Sequence, residues 1–283
     1  MSDLSGPFTA ACVQMRTGTD VDANIEAATG LIREAAAGGA SFVATPETTA
    51  LMELGAKRLF ANIVSEDDDR ALKAFRALAA ELKVHLLIGS LALKVADDKA
   101  VNRSFLLTPD GEVAARYDKI HMFDVDLGNG EAYRESKNYR AGDQAVVAAL
   151  PWGGLGMTVC YDLRFPSLYR TLAQAGASFL TVPSAFTRGT GEAHWHVLLR
   201  SRAIEAGCFV IAPAQGGTHE NGRETYGHSL IVAPWGEVLA EAGEDPCVIF
   251  AEIDPARVAE ARSKVPSLKH DRAIKAPADW RPE

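Results

Sequence analysis

The sequence predicts an α/β fold of four layers, α-β-β-α, built from two related halves. Three observations carry this expectation. Short apolar strand runs alternate with segments of helical periodicity along the chain. Two phrases recur in the same order: Gly39–Pro46 (GASFVATP) matches Gly176–Pro183 (GASFLTVP) 137 residues on, and Ser104–Val113 (SFLLTPDGEV) matches Ser229–Val238 (SLIVAPWGEV) 125 residues on. Agreement in both letters and element order marks an internal pseudo-two-fold repeat. No stretch rich in Pro, Gly or Ser separates the halves. Each sheet can then cover its bare face only against the other, which gives one domain over 1–283 with a C-terminal tail from about 265.

The elements follow in order. Ala10–Met15 reads as a buried strand. A helix capped by Asp20 or Asp22 comes next, with Ile25, Ala28, Leu31, Ile32 and Ala35 at helical spacing and Gly38-Gly39 as its stop. Ser41–Thr45 is a short strand broken by Pro46. Ser65–Lys83 reads as a second helix, with Ser65 and Asp68 in a capping box and Leu72, Phe75, Leu78, Ala79 and Leu82 on one face. Val84–Leu93 is a buried strand, and Ser104–Ala115 a hairpin turning at Thr108-Pro-Asp-Gly111. In the second half, Val146–Ala149 and Leu155–Val159 are strands, Phe165–Ala175 a helix and Ser178–Val182 a strand. Ala193–Ala206 is a helix, Cys208–Ala212 a strand, His228–Ala240 a hairpin and Pro255–Ser263 a last helix.

Composition bounds what such a fold can be. The chain has 283 residues, of which 47% are hydrophobic and 23% charged, a globular balance that excludes disorder throughout. A core of this size needs neither disulfides nor a metal to hold it. The net charge of −8 argues against a general binder of nucleic acid or anionic membrane. The four cysteines, Cys12, Cys160, Cys208 and Cys247, form no C-x-x-C pair, which excludes a zinc ribbon or thioredoxin motif. Met1–Met15 lacks the pattern of a secretory signal, and no run reaches the ~20 apolar residues of a membrane span. The cytoplasm, where thiols stay reduced, is the expected compartment.

Few residues are placed for chemistry. Cys160 follows the apolar run Leu155–Val159 and precedes Tyr161-Asp-Leu-Arg-Phe-Pro166. A strand that ends on a cysteine before a turn or helix exposes a nucleophile and offers backbone N–H groups to an oxyanion; a small buried hydrophobe is the plain alternative. The other three cysteines lie in or beside apolar runs and read as bystanders. Glu47 can point into a cleft from its strand end, or sit in the first turn of a helix beginning at Pro46. Lys119, taken alone, reads as a solvated lysine. His194 and His196 do not share a helix face and lack a third ligand. Asp124, Asp126 and Glu135 fall at positions one, three and twelve of an EF-hand-like loop, but Gly128 and Asn129 stand at five and six, so calcium is not expected. Gly153-Gly-Leu-Gly156 precedes a strand rather than a helix, so it is no phosphate loop. The expected site thus holds no metal and no cofactor. Arg188, in the loop Thr187–Gly191, can hold a carboxylate by a bidentate bond; a solvated loop arginine is the equal alternative.

Together, Glu47, Lys119 and Cys160 resemble the Glu-Lys-Cys triad of the nitrilase (carbon–nitrogen hydrolase) superfamily. The resemblance covers almost the whole chain. It is strongest at Thr45–Glu47, Tyr117–His121, Val159–Pro166, Pro183–Phe186, Ala193–Trp195, Arg202–Glu205 and Tyr226–Ser229. The superfamily's α-β-β-α sandwich agrees with the fold read from the repeat. Within it, the chain resembles the branch of deaminated glutathione amidase and omega-amidase, and Ala214-Gln215 with Tyr226–Ser229 looks more like the former. One residue departs from the family pattern: His196 stands where an acid usually follows Ala-His-Trp.

The resemblance implies a cysteine amidohydrolase that acts through a thioester, with a linear non-peptide amide as its small-molecule partner. Glu47 would be the base, Lys119 the cation beside the oxyanion and the Tyr161 N–H a second oxyanion donor. Glu135 would support Lys119. The implied substrate is deaminated glutathione, giving 2-oxoglutarate and cysteinylglycine. Alternatives are an omega-amidase acting on 2-oxoglutaramate and an N-carbamoyl amino-acid amidase. The non-enzyme alternative is a silent binding or scaffold protein, against which the intact triad argues. The family also implies at least a homodimer.

Overall fold

The computed structural model describes residues 6–128 and 130–275. In the first half, β1 (Phe8–Gln14), α1 (Val21–Ala37) and β2 (Phe42–Ala44) are followed by α2 (Ala56–Asn62) and α3 (Arg70–Leu82). Then come β3 (His85–Ala96), β4 (Lys99–Leu107) and β5 (Val113–Asp118). A separate hairpin, β6 (Asp124–Asp126) and β7 (Ala132–Arg134), leads out of this half. The second half runs β8 (Val146–Leu150), β9 (Gly153–Met157), α4 (Pro166–Gln174), β10 (Ala177–Thr181), α5 (Arg188–Ala206) and β11 (Phe209–Ala212). A small hairpin of β12 (Gly216–Thr218) and β13 (Glu224–Tyr226) precedes β14 (Leu230–Val232), β15 (Val238–Glu241), β16 (Cys247–Ile253) and α6 (Ala256–Lys264). Among the described residues no helix is long and apolar enough to cross a membrane.

Two six-stranded sheets result, ordered β16-β1-β2-β3-β4-β5 and β8-β9-β10-β11-β14-β15. Read from those ends, both run antiparallel, parallel, parallel, antiparallel, antiparallel. The pseudo-repeat is therefore a repeat of topology as well as of letters. One detail breaks it. The strand beside β9 comes just before it in the chain, whereas the strand beside β1 arrives from the far end as β16.

The period-2 alternation of the strands sets the layers. In β1, Phe8, Ala10 and Cys12 pack into the core shared with the second sheet, while Ala11 and Val13 pack with Ile32 of α1 and Phe75 of α3. Phe8 stacks on Trp152 at a centroid distance of 3.9 Å and meets Phe179 edge-on at 5.5 Å, tying the sheets face to face. On the outer side of the second sheet, α4 and α5 contribute Leu172, Trp195 and Leu199.

The structure corrects several expected boundaries. Asp20 caps α1, accepting from the N–H groups of Asp22 and Ala23. The second helix starts at Arg70 rather than Ser65, because Asp69 takes the Leu72 N–H at 2.7 Å while Ser65 donates to Asp68 at 2.8 Å. Helix α2 buries only Leu59 and has Gly55 at its cap, so it carries no periodic stripe to read. Helix α5 begins at Arg188, five residues before the expected start. Its first turn, Arg188-Gly-Thr-Gly191, holds two poor helix formers and so reads as a loop. Gly191 is required by packing, since a Cβ there would lie 2.3 Å from the Tyr226 Cβ.

Candidate active site

The ends of β2 and β9 converge on one cavity lined by Glu47, Lys119, Glu135, Cys160, Tyr161 and Arg223, among others. A crevice beyond the carboxyl ends of parallel strands is where α/β sheets place their ligands. The accessible cavity volume is about 140 Å³.

No helix begins at Pro46; the chain turns there. Thr49 Oγ1 donates to Pro46 O at 2.7 Å and lies 2.8 Å from Thr45 Oγ1, which pins the turn. Strand β3 passes directly beneath, and Gly89 permits it: a Cβ at that position would sit 2.1 Å from the Thr45 carbonyl. The turn delivers Glu47 inward, where it is 4% exposed. Its Oε1 accepts from Lys119 Nζ and Asn102 Nδ2, both at 2.9 Å. Its Oε2 accepts from the Ala185 N–H at 3.0 Å.

Lys119 follows β5 and is 2% exposed, so it is not the solvated lysine its local sequence suggests. Its ammonium has three donors. One reaches Glu47, and Glu135 receives the others at 3.0 Å on Oε1 and 2.8 Å on Oε2. Glu135 also accepts from Asn102 Nδ2 at 3.2 Å and from the Phe123 N–H at 2.6 Å. Asp124 instead accepts from the Ser136 N–H and Asp126 from the Gly128 N–H. Among the described residues, Asp124, Asp126 and Glu135 do not gather as a cation site.

Cys160 is 6% exposed and holds a left-handed backbone, φ 51°, uncommon for any residue but glycine. A tight 3₁₀ turn over Cys160–Arg164 begins there. The Cys160 N–H donates to Pro183 O at 2.9 Å. Asp162, wholly buried, braces the turn: it accepts from the Val159 N–H at 2.9 Å, Tyr117 Oη at 2.7 Å and the His121 N–H at 3.0 Å. The Tyr161 N–H lies in the first turn, where amides have no partner within the helix.

The charges on this cluster follow from its surroundings. Burial pushes the Glu47 carboxyl up, but Lys119 and hydrogen bonding outweigh it and hold the group below the ordinary glutamate range. Burial pushes Lys119 down, and Glu135 and Glu47 together raise it well above the usual lysine value. For Cys160, burial and then the Glu47 charge push the thiol up, against the pull of Lys119. These surroundings favour an ion-paired carboxylate and ammonium and oppose ionisation of the neighbouring thiol. Lys119 does not by its charge make a standing thiolate.

Arg188 is not brought to this site. Because α5 starts at Arg188, its side chain turns outward and grips Glu244, with Nη1 and Nη2 at 2.9 Å each, and it lines no part of the cavity. Arg223 stands in the cavity instead. Its Nη2 donates to Ala185 O at 2.6 Å, its guanidinium lies 5.4 Å from the Tyr133 ring centroid, and its enclosed Nε has no partner among the described residues. Asn102, Asp162 and Arg223 were not singled out by the sequence reading. A polar Asn inside the apolar strand of Ala100-Val-Asn102 was the available signal for the first. The other matched motifs are joints. Trp195 Nε1 donates to His228 O at 2.7 Å, and Arg202 bonds Leu163 O through Nε and Nη2, fastening α5 to the cysteine turn.

Known proteins share this arrangement of elements. The carbon–nitrogen hydrolase family model matches residues 9–263. A deaminated glutathione amidase from Synechocystis is 41% identical over 269 residues, covering 93% of this chain and 98% of that protein. A human omega-amidase is 34% identical over 266 residues, covering 94% and 95% respectively. The crystal structure of the Caenorhabditis elegans NitFhit protein superposes with a TM-score of 0.88 at 35% identity, covering 95% of this chain and 66% of that longer one. With the match spanning both halves of the sandwich and full-length relatives well above 30% identity, this chain belongs to the carbon–nitrogen hydrolase family, within the nitrilase superfamily.

Proposed function

We propose that the chain is a cysteine amidase that hydrolyses deaminated glutathione to 2-oxoglutarate and cysteinylglycine. The observation that carries the chemistry is the Glu47–Lys119–Glu135 hydrogen-bond network facing a left-handed Cys160 in one cavity. As the Cys160 sulfur attacks the amide carbon, its proton passes to Glu47, and the carbonyl oxygen becomes an oxyanion. Protonation of Glu47 weakens its hold on Lys119, so that ammonium can turn its charge to the oxyanion, with the Tyr161 N–H as second donor. Collapse breaks the C–N bond, and Glu47 returns the proton to the leaving amine. Glu47 then takes a proton from water as the water attacks the thioester. A second collapse releases the acid and restores the thiol. Glu135 positions Lys119 throughout.

Substrate size and charge fit the same reading. A cavity of about 140 Å³ is close to the ~150 Å³ engineered cavity that accepts benzene, so it suits a five-carbon acyl chain and leaves the dipeptide outside. Arg223, which lines the cavity where Arg188 does not, is the group that would meet the far carboxylate. The relatives named deaminated glutathione amidase support this substrate, and the one named omega-amidase supports the rival class. The reading extends to a cytoplasmic homodimer. Four free thiols suit a reducing compartment, and exposed Val197 and Ile204 on α5, with Trp235 nearby, offer an apolar face for a second copy. Sedimentation at micromolar concentration checks the dimer. The deciding experiment measures kcat/KM for deaminated glutathione and 2-oxoglutaramate on one preparation, with Arg223→Gln beside it. The expected result is a preference for deaminated glutathione and a KM raised at least about tenfold by Arg223→Gln, the mark of lost ground-state binding. A preference for 2-oxoglutaramate moves the assignment to omega-amidase.

A further inference from the structure

His196, His228 and Glu241 meet on the outer side of the second half, and none of them lines the catalytic cavity. His196 belongs to α5, His228 precedes β14 and Glu241 ends β15. The partners of His196 thus lie 32 and 45 residues further on, out of reach of any local motif. His194, its neighbour in sequence, turns elsewhere and faces Arg164. One ligand atom from each of the three residues lies within 4.8 Å of the others. We propose that this His-Glu-His cluster is a binding site for a divalent transition metal of the zinc class.

Three physical arguments support the assignment. The donor set is two imidazoles and a carboxylate, which zinc and its neighbours favour and which leaves a fourth position for water. Spacing is the second. His196 Nε2 lies 2.9 Å and His228 Nδ1 3.0 Å from the same Glu241 Oε1. In a tetrahedron around zinc, with bonds of about 2.0–2.1 Å, ligand atoms stand about 3.3 Å apart. Each imidazole–carboxylate separation therefore needs to widen by only a few tenths of an ångström to admit an ion, while the two imidazoles already lie within 4.8 Å of each other. With an ion bound, each imidazole would turn a lone pair to the metal and carry its proton on the other ring nitrogen.

Rigidity is the third argument, because a metal site gains from ligands fixed in advance. His228 holds a left-handed backbone, φ 52°, its carbonyl receives Trp195 Nε1 at 2.7 Å, and its N–H donates to Gly243 O at 2.8 Å. The Tyr226 ring stacks on the His228 ring at 4.3 Å and meets the His196 ring edge-on at 6.0 Å. An ion here would lock α5 to the β14–β15 hairpin. It would act on stability, with no part in the chemistry at Cys160.

The test uses the full chain carrying Cys160→Ala, so that the active-site thiol cannot compete for metal. After stripping with EDTA, zinc is titrated by calorimetry and by thermal unfolding. The expected result is one zinc per chain at micromolar or tighter Kd and a rise in Tm of several degrees that EDTA reverses. His196→Gln and Glu241→Gln should each weaken binding by more than the 10–100-fold typical of losing even an outer-shell partner. In the chain that retains Cys160, both variants should keep normal kcat/KM, which shows an intact fold. Absence of zinc uptake by the stripped parent overturns the proposal, as does uptake that survives both substitutions.

Discussion

Beyond β2 and beyond β10 the chain passes a matching proline and then diverges: it turns at Glu47, whereas Ser184 stays extended and bridges to Ala214. Thr45-Pro46 leads to Glu47; Val182-Pro183 leads to Ser184, 137 residues later. Glu47 enters the cavity, whereas Ser184 Oγ folds back onto Val182 O at 3.0 Å. The next residue, Ala185, gives its N–H to Glu47. The ends of β1 and β9 differ in the same way. Beyond β9 the chain kinks to present Cys160, while at the end of β1 Met15 is stitched by its backbone to Ala214 and Gly216. In the proposed mechanism, one half thus supplies the base and the cation, and the other supplies the nucleophile and the amide that holds the base. A repeated frame need not repeat a function: the residue just past each strand end decides what the frame does.

The largest expected effect breaks the comparison outright. Cys160→Ala should lower turnover by more than about 10⁴-fold, while Cys12→Ala, Cys208→Ala and Cys247→Ala should leave kcat near normal and act on stability. Iodoacetamide labelling read by mass spectrometry checks this. Inactivation that tracks alkylation of another cysteine would overturn the assignment.

On the first-half side, Lys119→Met should cost roughly 10²–10³-fold in kcat, the scale of one lost oxyanion donor. Lys119→Arg should fail too, because a planar fork cannot satisfy Glu47 and Glu135 from one point as an ammonium does. Near-normal kcat in Lys119→Arg would remove Lys119 from contact with the reacting oxygen.

A third measurement concerns the seam between the halves. His219 of the second half faces Thr17 O of the first at 2.9 Å and Thr225 Oγ1 at 2.6 Å, a pattern that suits a neutral ring. Burial lowers its pKa to about 4. The unfolded chain then binds more protons below the ordinary histidine value, so stability falls as pH drops from about 6.5 toward 4, by up to about 3 kcal/mol. Urea unfolding at stepped pH checks the window, and His219→Gln should flatten it.

The smallest effect is the sharpest contrast. Ser184→Ala, at the position matching Glu47, should change kcat/KM by less than about twofold while Glu47→Gln abolishes the proton acceptor. Equal losses would mean that both positions contribute chemistry.

Layering was legible from the sequence because the strand runs, helix stripes and repeated phrases all report local periodicity. Cys160 was legible for a related reason, as a cysteine ending an apolar run. Glu47 and Lys119 were not, taken singly, because their meaning is their mutual contact across 72 residues. The Arg188 expectation failed on a helix boundary: two glycines hid the start of α5 and with it the direction of the side chain. Arg223 had no local signal at all, since only the packed hairpin of β12 and β13 carries it to the cavity.

The strand that closes the first sheet bears on how the molecule can be made. Phe8 at the head of β1 pairs with Ile253 near the end of the described chain. During synthesis, β1 emerges long before β16, and this edge stays open until that strand follows. Such an edge invites pairing with other chains, and a contact this distant in sequence forms late. The first half therefore cannot mature as an independent unit on the ribosome, despite having most of a sheet and its own helices. A nascent chain halted before β16 should be captured by chaperones or aggregate, and release of the final strand should be the event that commits both halves to the native state at once.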